Sequence, residues 1–319
     1  MYRRILVPLD GSELAEAVFP YVGELVAALG LEAILYHVEE SEEAKSTPMC
    51  RAYLDKAVET VKRRVQEVKR GIGIELRTEP AVSGELAIGS PADKILDCVE
   101  EKGVDLILIA DHGCSGAKPG TIGSVADKLV RTAKVPVWLV RTGIPEKSAY
   151  DQWPKVTLLV PLGGSELAEE ALPHVKTLIK QPSARRIEVV LLRVYELPTT
   201  PVYYVPEMAE VPLNWGEYPQ QEKARRQKEA KRYLARVARR LRGEGITVRS
   251  KVVLGKAADE IVNYAAKNPN TVIVMVTLGR SGLRRLVYGS VTKNVLARVM
   301  SPMLLIKPRQ KDSLEKKGE

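Results

Sequence analysis

The sequence predicts an α/β protein built as two tandem domains, each a five-stranded parallel sheet covered by helices. Three observations predict it. The segment VPLDGSELAEAVFPYV at 7–22 returns as VPLGGSELAEEALPHV at 160–175, identical at eleven of sixteen positions. Near the end of each copy, GSVADKLV from Gly123 is answered by GSVTKNVL from Gly289. Between these markers both halves alternate short β-branched runs with stretches of helical periodicity, as parallel strands joined by crossover helices do. A repeat of roughly 150 to 165 residues is a whole domain rather than a solenoid unit. With 319 residues, 45% of them hydrophobic, the chain has material for two cores.

In the first half, strands are expected near Arg4–Leu9, Glu32–Val38, Ile74–Val82, Asp105–Ala110 and Val135–Val140, and helices near Glu13–Leu29, Ala52–Lys69, Pro91–Glu101 and Ser124–Arg131. In the second half the strand order repeats near Lys155–Val160, Arg186–Val194, Thr247–Val253, Thr271–Val276 and Met303–Ile306. The junction Thr142–Lys155 carries Pro145 and Pro154 and reads as an extended linker. Domains are therefore expected at 1–145 and 146–310, followed by a polar tail at 311–319. The offset between copies grows from 153 at Val7/Val160 to 166 at Gly123/Gly289, and most of the insertion falls in Glu196–Gln220, rich in proline and aromatic residues. A long loop of that composition is expected to cover a site or a partner surface.

The net charge of +9 raises the question of nucleic acid. Ten basic side chains against Glu222 and Glu229 lie between 222 and 242, so one helix accounts for most of the imbalance. Its apolar residues Ala230, Tyr233, Leu234, Val237, Ala238 and Leu241 recur at three- and four-residue steps, which predicts a packed helix with a solvated basic face. No specific nucleic-acid partner is expected. No apolar run approaches the eighteen or so residues of a membrane span, and the start lacks a signal-peptide core, so no membrane partner and a cytoplasmic location are expected. Cys50, Cys98 and Cys114 show neither a disulfide framework nor metal-ligand spacing, which suits a reducing compartment.

In open parallel sheets, ligands bind beyond the carboxyl ends of the strands. After the first strand comes DGS, where Asp10 could accept hydrogen bonds from a ligand hydroxyl or amine, or cap the next helix. After the fourth comes ADHGCSGAKPGTIGS, in which Gly113, Gly116, Gly120 and Gly123 permit close backbone approach. Ser124 then opens a helix whose free amides could face an anion. Of the histidines, His37 and His174 are expected to be structural, and nothing in the sequence pairs His112 with an acid and a nucleophile as a triad requires. A GxxxxGK[ST] loop, an HExxH pair and a Cys-x-x-Cys are all absent from the sequence, and no catalytic residue or protein metal site is assigned.

The spacing Gly-x-x-Gly, nine residues, then Gly-Ser, together with an Asp after the first strand, resembles the ATP-binding pattern of the universal stress protein family. The first copy reads Ala110, Asp111, His112, Gly113, nine residues, Gly123, Ser124; the second reads Val276, Thr277, Leu278, Gly279, nine residues, Gly289, Ser290. The resemblance runs from Arg4 to Lys307 and implies two Rossmann-like domains. It further implies an adenine-nucleotide site at Pro8, Asp10, Val38, Ala110, His112, Gly113, Gly123, Ser124 and Val125. The second copy would use Val194, Gly279, Gly289, Ser290, Val291 and Thr292. The ligand would be ATP, or AMP or ADP, with Mg²⁺ arriving on the phosphates rather than in a protein cage.

The second copy departs from the pattern: Gly163 stands for the Asp, Leu278 for the His and Val276 for the leading Gly. One nucleotide per chain, held mainly by the first half, is the expectation. Members of the family often dimerise through the last strand, so VPVWLV from Val135 and SPMLLIK from Ser301 are expected to pair as an intramolecular pseudo-dimer, with further homodimerisation left open. Three functions remain in competition: a nucleotide-binding stress-response protein, an interaction module with degenerate sites whose aromatic insertion and basic helix bind a protein or nucleic-acid partner, and an adenylating enzyme of the wider superfamily. The missing catalytic set argues against the third.

Overall fold

A computed structural model describes residues 2–41, 48–73, 81–114, 116, 120–142, 155–180, 187–197, 218–277 and 288–308. The first half runs β1 (Arg4–Leu9), α1 (Glu13–Glu16), α2 (Phe19–Leu29), β2 (Glu32–Glu39), α3 (Pro48–Gly71), β3 (Val82–Ile88), α4 (Pro91–Glu101), β4 (Leu106–Ala110), α5 (Ser124–Thr132) and β5 (Val137–Val140). The second repeats the order as β6 (Val156–Pro161), α6 (Glu166–Glu169), α7 (Ala171–Ile179), β7 (Ile187–Tyr195), α8 (Tyr218–Gly243), β8 (Val248–Leu254), α9 (Ala257–Lys267), β9 (Thr271–Val276), α10 (Ser290–Leu296) and β10 (Met303–Ile306).

Two expected elements differ. The single helix expected at Glu13–Leu29 is broken after Glu16, and α2 starts at Phe19 with proline in its first turn. Pro20 lacks an amide for an intrahelical bond and is tolerated only there. Pro173 occupies the same position in the second half, where α6 and α7 divide likewise. The third strand, expected near Ile74–Val82, lies at Val82–Ile88 instead, in register with β2 from Ala33↔Val82 to Glu39↔Ile88. Residues 74–80 of that expectation fall outside the described residues. VSGELAI carries little β-branched signal because it forms an edge, paired on one side only. It also sits close under α3: a Cβ on Gly84 would lie 3.2 Å from Val58 Cγ2.

The ten strands form one sheet in the order β3-β2-β1-β4-β5-β10-β9-β6-β7-β8. Every pairing is parallel except at the centre, where β5 meets β10 antiparallel through Leu139↔Met303, Trp138↔Leu304 and Val137↔Leu305. Two apolar layers cover the sheet. One joins Val7, Leu35, Leu54 and Trp138 with Val160, Leu191 and Leu234 under α2, α3, α7 and α8; the other joins Ile107, Leu129 and Leu139 with Ile273, Leu296 and Leu305 under α4, α5, α9 and α10. Each layer thus runs through both halves.

Side chains also cross the central pairing. Tyr288 Oη donates to Asp127 Oδ1 at 2.9 Å, with the Arg131 guanidinium 4.5 Å above the Tyr288 ring. Lys307 Nζ reaches the carbonyls of Arg131 and Thr132, complementing the negative end of α5. Tyr2 Oη lies 2.7 Å from His174 Nδ1 and the two rings stack.

The basic helix α8 buries Ala230, Leu234, Val237, Ala238 and Leu241 against the sheet. Several of its arginines are engaged within the fold: Arg226 with Glu222 at 2.5 Å, Arg240 with Glu169 at 2.5 Å and Arg242 with the Val248 carbonyl at 2.9 Å. Among the described residues, no helix is long and apolar enough to cross a membrane.

Candidate functional site

Parallel register brings the carboxyl ends of β1, β2 and β4 together. Pro8 lies beside Tyr36 and Leu9 beside His37 in β2, while β4 ends at the buried Ala110. The chain turns out of β1 through Asp10 and Gly11, whose φ of 84° suits glycine. Ser12 caps α1 by accepting from the Ala15 amide at 3.2 Å, and its own amide and hydroxyl donate to Asp10 Oδ1 at 3.0 and 2.6 Å. Asp10 does not itself cap the helix; it orients the residue that does.

The other carboxylate oxygen reaches the loop after β4. Cys114 N–H donates to Asp10 Oδ2 at 2.7 Å, and its thiol approaches the Asp10 carbonyl at 3.3 Å. Desolvation pushes the Asp10 carboxyl upward, but the hydrogen bonds from Ser12 and Cys114 together outweigh it, leaving the group below its ordinary range and ionised at neutral pH. Gly113 is obligatory here for a local reason: a Cβ on it would fall 1.7 Å from Asp10 Oδ2. Gly123 is confined similarly, with its Cβ position 3.0 Å from the Asp111 carbonyl, and its amide donates to that carbonyl at 2.7 Å. Ser124 and Val125 then begin α5.

Beneath this loop is a buried polar cluster. Asp111 Oδ1 accepts from the Thr142 amide and hydroxyl at 2.8 and 2.7 Å, and its Oδ2 lies 3.2 Å from Arg141 Nε, both side chains being 3% exposed. Burial lowers the Arg141 guanidinium and Asp111 raises it again, with burial the stronger influence. His112 is buried with Nε2 3.1 Å from Thr121 Oγ1 and Nδ1 3.3 Å from Asp111 Oδ1. Its side chain therefore belongs to the support of the loop. Val38 packs against the second apolar layer.

In the second half the corresponding strand ends line an open cavity of about 780 Å³. Gly163, Val194, Val276 and the Gly289–Thr292 turn line it from the sheet, and Arg226, Ala230 and Tyr233 of α8 form its far wall. Val276, which stands for the leading Gly of the pattern, is part of the wall, and its carbonyl accepts from Thr292 Oγ1 at 3.3 Å. Nothing lies within 4 Å of a Cβ placed on Gly163. Arg193 donates to the Leu162 carbonyl at 3.4 Å, just as His37 Nδ1 meets the Leu9 carbonyl at 2.8 Å in the first half. Gly279 and Leu278 lie outside the described residues.

Of the residues expected to form the sites, the structure gathers Pro8, Asp10, Ala110, Gly113, Gly123 and Ser124 around the first loop. It gathers Val194, Gly289, Ser290, Val291 and Thr292 around the cavity. Sequence reading missed the contributions of α8 and of Arg193. The apolar face of the basic helix was read as core packing alone, although the i, i+4, i+7 spacing of Arg226, Ala230 and Tyr233 already set the three on one face.

Comparison with known proteins agrees with this architecture. The universal stress protein family model matches residues 1–141 and again 157–307. A universal stress protein of Methanocaldococcus jannaschii is 29% identical over 161 residues, 44% of this chain and 96% of that protein. One from Mycobacterium tuberculosis is 23% identical over 322 residues, covering 94% of this chain and 96% of the relative. Among solved structures, a universal stress protein of Archaeoglobus fulgidus aligns with TM-score 0.59 at 20% identity, over 95% of this chain and 98% of the other. The chain belongs to the universal stress protein family and carries two copies of its domain in tandem.

Proposed function

We propose that the protein is an adenine-nucleotide-binding stress-response factor with two unequal sites. The observation that carries this reading is the cavity in the second half: its lining includes Val194, Gly289, Ser290, Val291 and Thr292, the residues that the family pattern assigns to nucleotide. The first half has the same strand ends and adds an ionised, pre-oriented carboxylate at Asp10, a suitable acceptor for ribose hydroxyls. It is the tighter site. The second half has Gly163 in place of that carboxylate and keeps the Gly289–Ser290 start of α10 in its wall, so it retains the phosphate end of the pattern and binds more weakly. ATP, ADP and AMP all fit the chemistry, and Mg²⁺ comes with the phosphates.

Domains at 1–145 and 146–310 act as a pseudo-dimer within one chain, joined along β5 and β10. Binding rather than turnover is the activity, with nucleotide occupancy as the signal, and a cytoplasmic location suits it. Calorimetric titration with ATP is the test. Two unequal binding steps are expected, and Asp10→Ala should weaken the tighter by about 1 to 3 kcal/mol by removing a hydrogen-bonded charge. Absence of ATP, ADP and AMP binding, or indifference of the tighter step to Asp10→Ala, overturns the reading.

A further inference from the structure

Beside the first loop, on the face of β2 opposite Val38, three potential ligand atoms converge. His37 Nε2 lies 2.8 Å from Glu39 Oε1, and Cys50 Sγ lies 2.9 Å from that same oxygen. The alternation of a strand puts His37 and Glu39 on one face, and the first turn of α3, of which Cys50 is the third residue, brings its thiol over them. All three ligand atoms lie within 4.8 Å of one another.

The histidine is oriented as a metal ligand would be. His37 Nδ1 is 2.8 Å from the Leu9 carbonyl, which can only accept, so the Nδ1 position carries the proton. The other ring nitrogen, Nε2, is thereby aimed at the Glu39 carboxylate at 2.8 Å, a contact that either a proton or a metal ion held by both atoms satisfies. An outer hydrogen bond from one ring nitrogen to a backbone carbonyl is the arrangement that fixes the tautomer of metal-bound histidines. We propose that His37, Glu39 and Cys50 form a binding site for a thiophilic divalent cation of the zinc type.

Imidazole nitrogen, carboxylate oxygen and thiolate together select zinc-like ions over magnesium or calcium. The edge of a tetrahedron of zinc ligands is about 3.4 Å, so the pairs at 2.8 and 2.9 Å need to part by only a fraction of an ångström. His37 is buried, whereas Glu39 and Cys50 are partly exposed and leave an entry path. Three protein ligands leave the fourth position for water or an exogenous donor. Binding displaces the Cys50 thiol proton and any proton shared by His37 and Glu39, with Nδ1–H kept on the Leu9 carbonyl. Affinity therefore rises with pH. Since Leu9 precedes Asp10, an occupied site would also brace the end of β1.

The test is titration of chelator-treated full-length protein with Co²⁺ and then Zn²⁺, without nucleotide. A sulfur-to-cobalt charge-transfer band should saturate at one ion per chain and be bleached by zinc. Cys50→Ser should abolish the band, and His37→Gln should weaken binding by about tenfold or more. Cys98→Ser and Cys114→Ser should leave both unchanged, and circular dichroism melts establish that each variant is folded. In parallel, nitrogen-resolved NMR at saturating zinc should show His37 Nε2 without a proton and Nδ1 with one. Absence of the band, its persistence in folded Cys50→Ser, or an Nε2 that stays protonated at saturating zinc overturns the proposal and leaves an imidazolium–carboxylate pair.

Discussion

Gly163→Asp should build into the second half the carboxylate that the first half already owns. The position accepts a side chain: Gly163 is not among the residues with positive φ, and a Cβ there meets nothing within 4 Å. Ser165 stands where Ser12 does, capping Ala168 at 3.3 Å, so its amide and hydroxyl are available to orient the new group. The glycine needed opposite the carboxylate, Gly113 in the first half, is retained in sequence as Gly279. One hydrogen bond from a ribose hydroxyl to a charged acceptor contributes about 1.5 to 3 kcal/mol, so the weaker ATP step should tighten by about ten- to a hundredfold. Because the site is open, unfolding free energy should change by no more than about 0.5 kcal/mol. Calorimetric titration in an Asp10→Ala background isolates the second site. Unchanged or weaker binding by a folded Gly163→Asp variant would refute the argument that this carboxylate separates the two sites.

Gly113→Ala would thrust a methyl group into Asp10 Oδ2, so the carboxylate must leave Cys114; urea denaturation should register a loss of about 1 to 3 kcal/mol, and a neutral result would mean the loop yields freely. Asp111→Ala should strand Arg141 as a buried charge and cost about 3 to 5 kcal/mol, measured the same way; a loss below about 1 kcal/mol would show that water reaches the guanidinium. The separated fragment 1–145 exposes the edge of β5, whose four residues are all buried in the intact chain, and analytical ultracentrifugation should find it associating. A soluble monomer at high concentration would contradict that expectation.

Much of the fold was legible because the repeat and the buried strands speak directly. Runs such as LILIA and TVIVMV are covered on both faces and therefore continuous in their hydrophobicity. β3 was not legible, because an edge strand with Ser83, Gly84 and Glu85 satisfies its pairing on one side and owes little to side-chain burial. That Asp10 and the glycines lie close together was legible from their position after β1 and β4, yet the reason for Gly113 was not: it accommodates a carboxylate 103 residues earlier in the sequence, a contact only folding creates. His37 was read as structural from its place at a strand end. The pattern His-x-Glu did put both side chains on one face, but Cys50 joins them through the docking of α3, which no local spacing encodes.

The antiparallel meeting of β5 and β10 has an evolutionary consequence. When two separate copies of a domain join through the same strand, two-fold symmetry makes every substitution appear on both sides at once, so a change that spoils one site spoils its twin. Here the strands that meet are VWLV and MLLI, encoded separately. Mutation can therefore sample one side alone: Lys307 spans to the end of α5 while Arg141, at the corresponding place after β5, turns inward to Asp111. Covalent linkage leaves each half free to change without a matching change in the other.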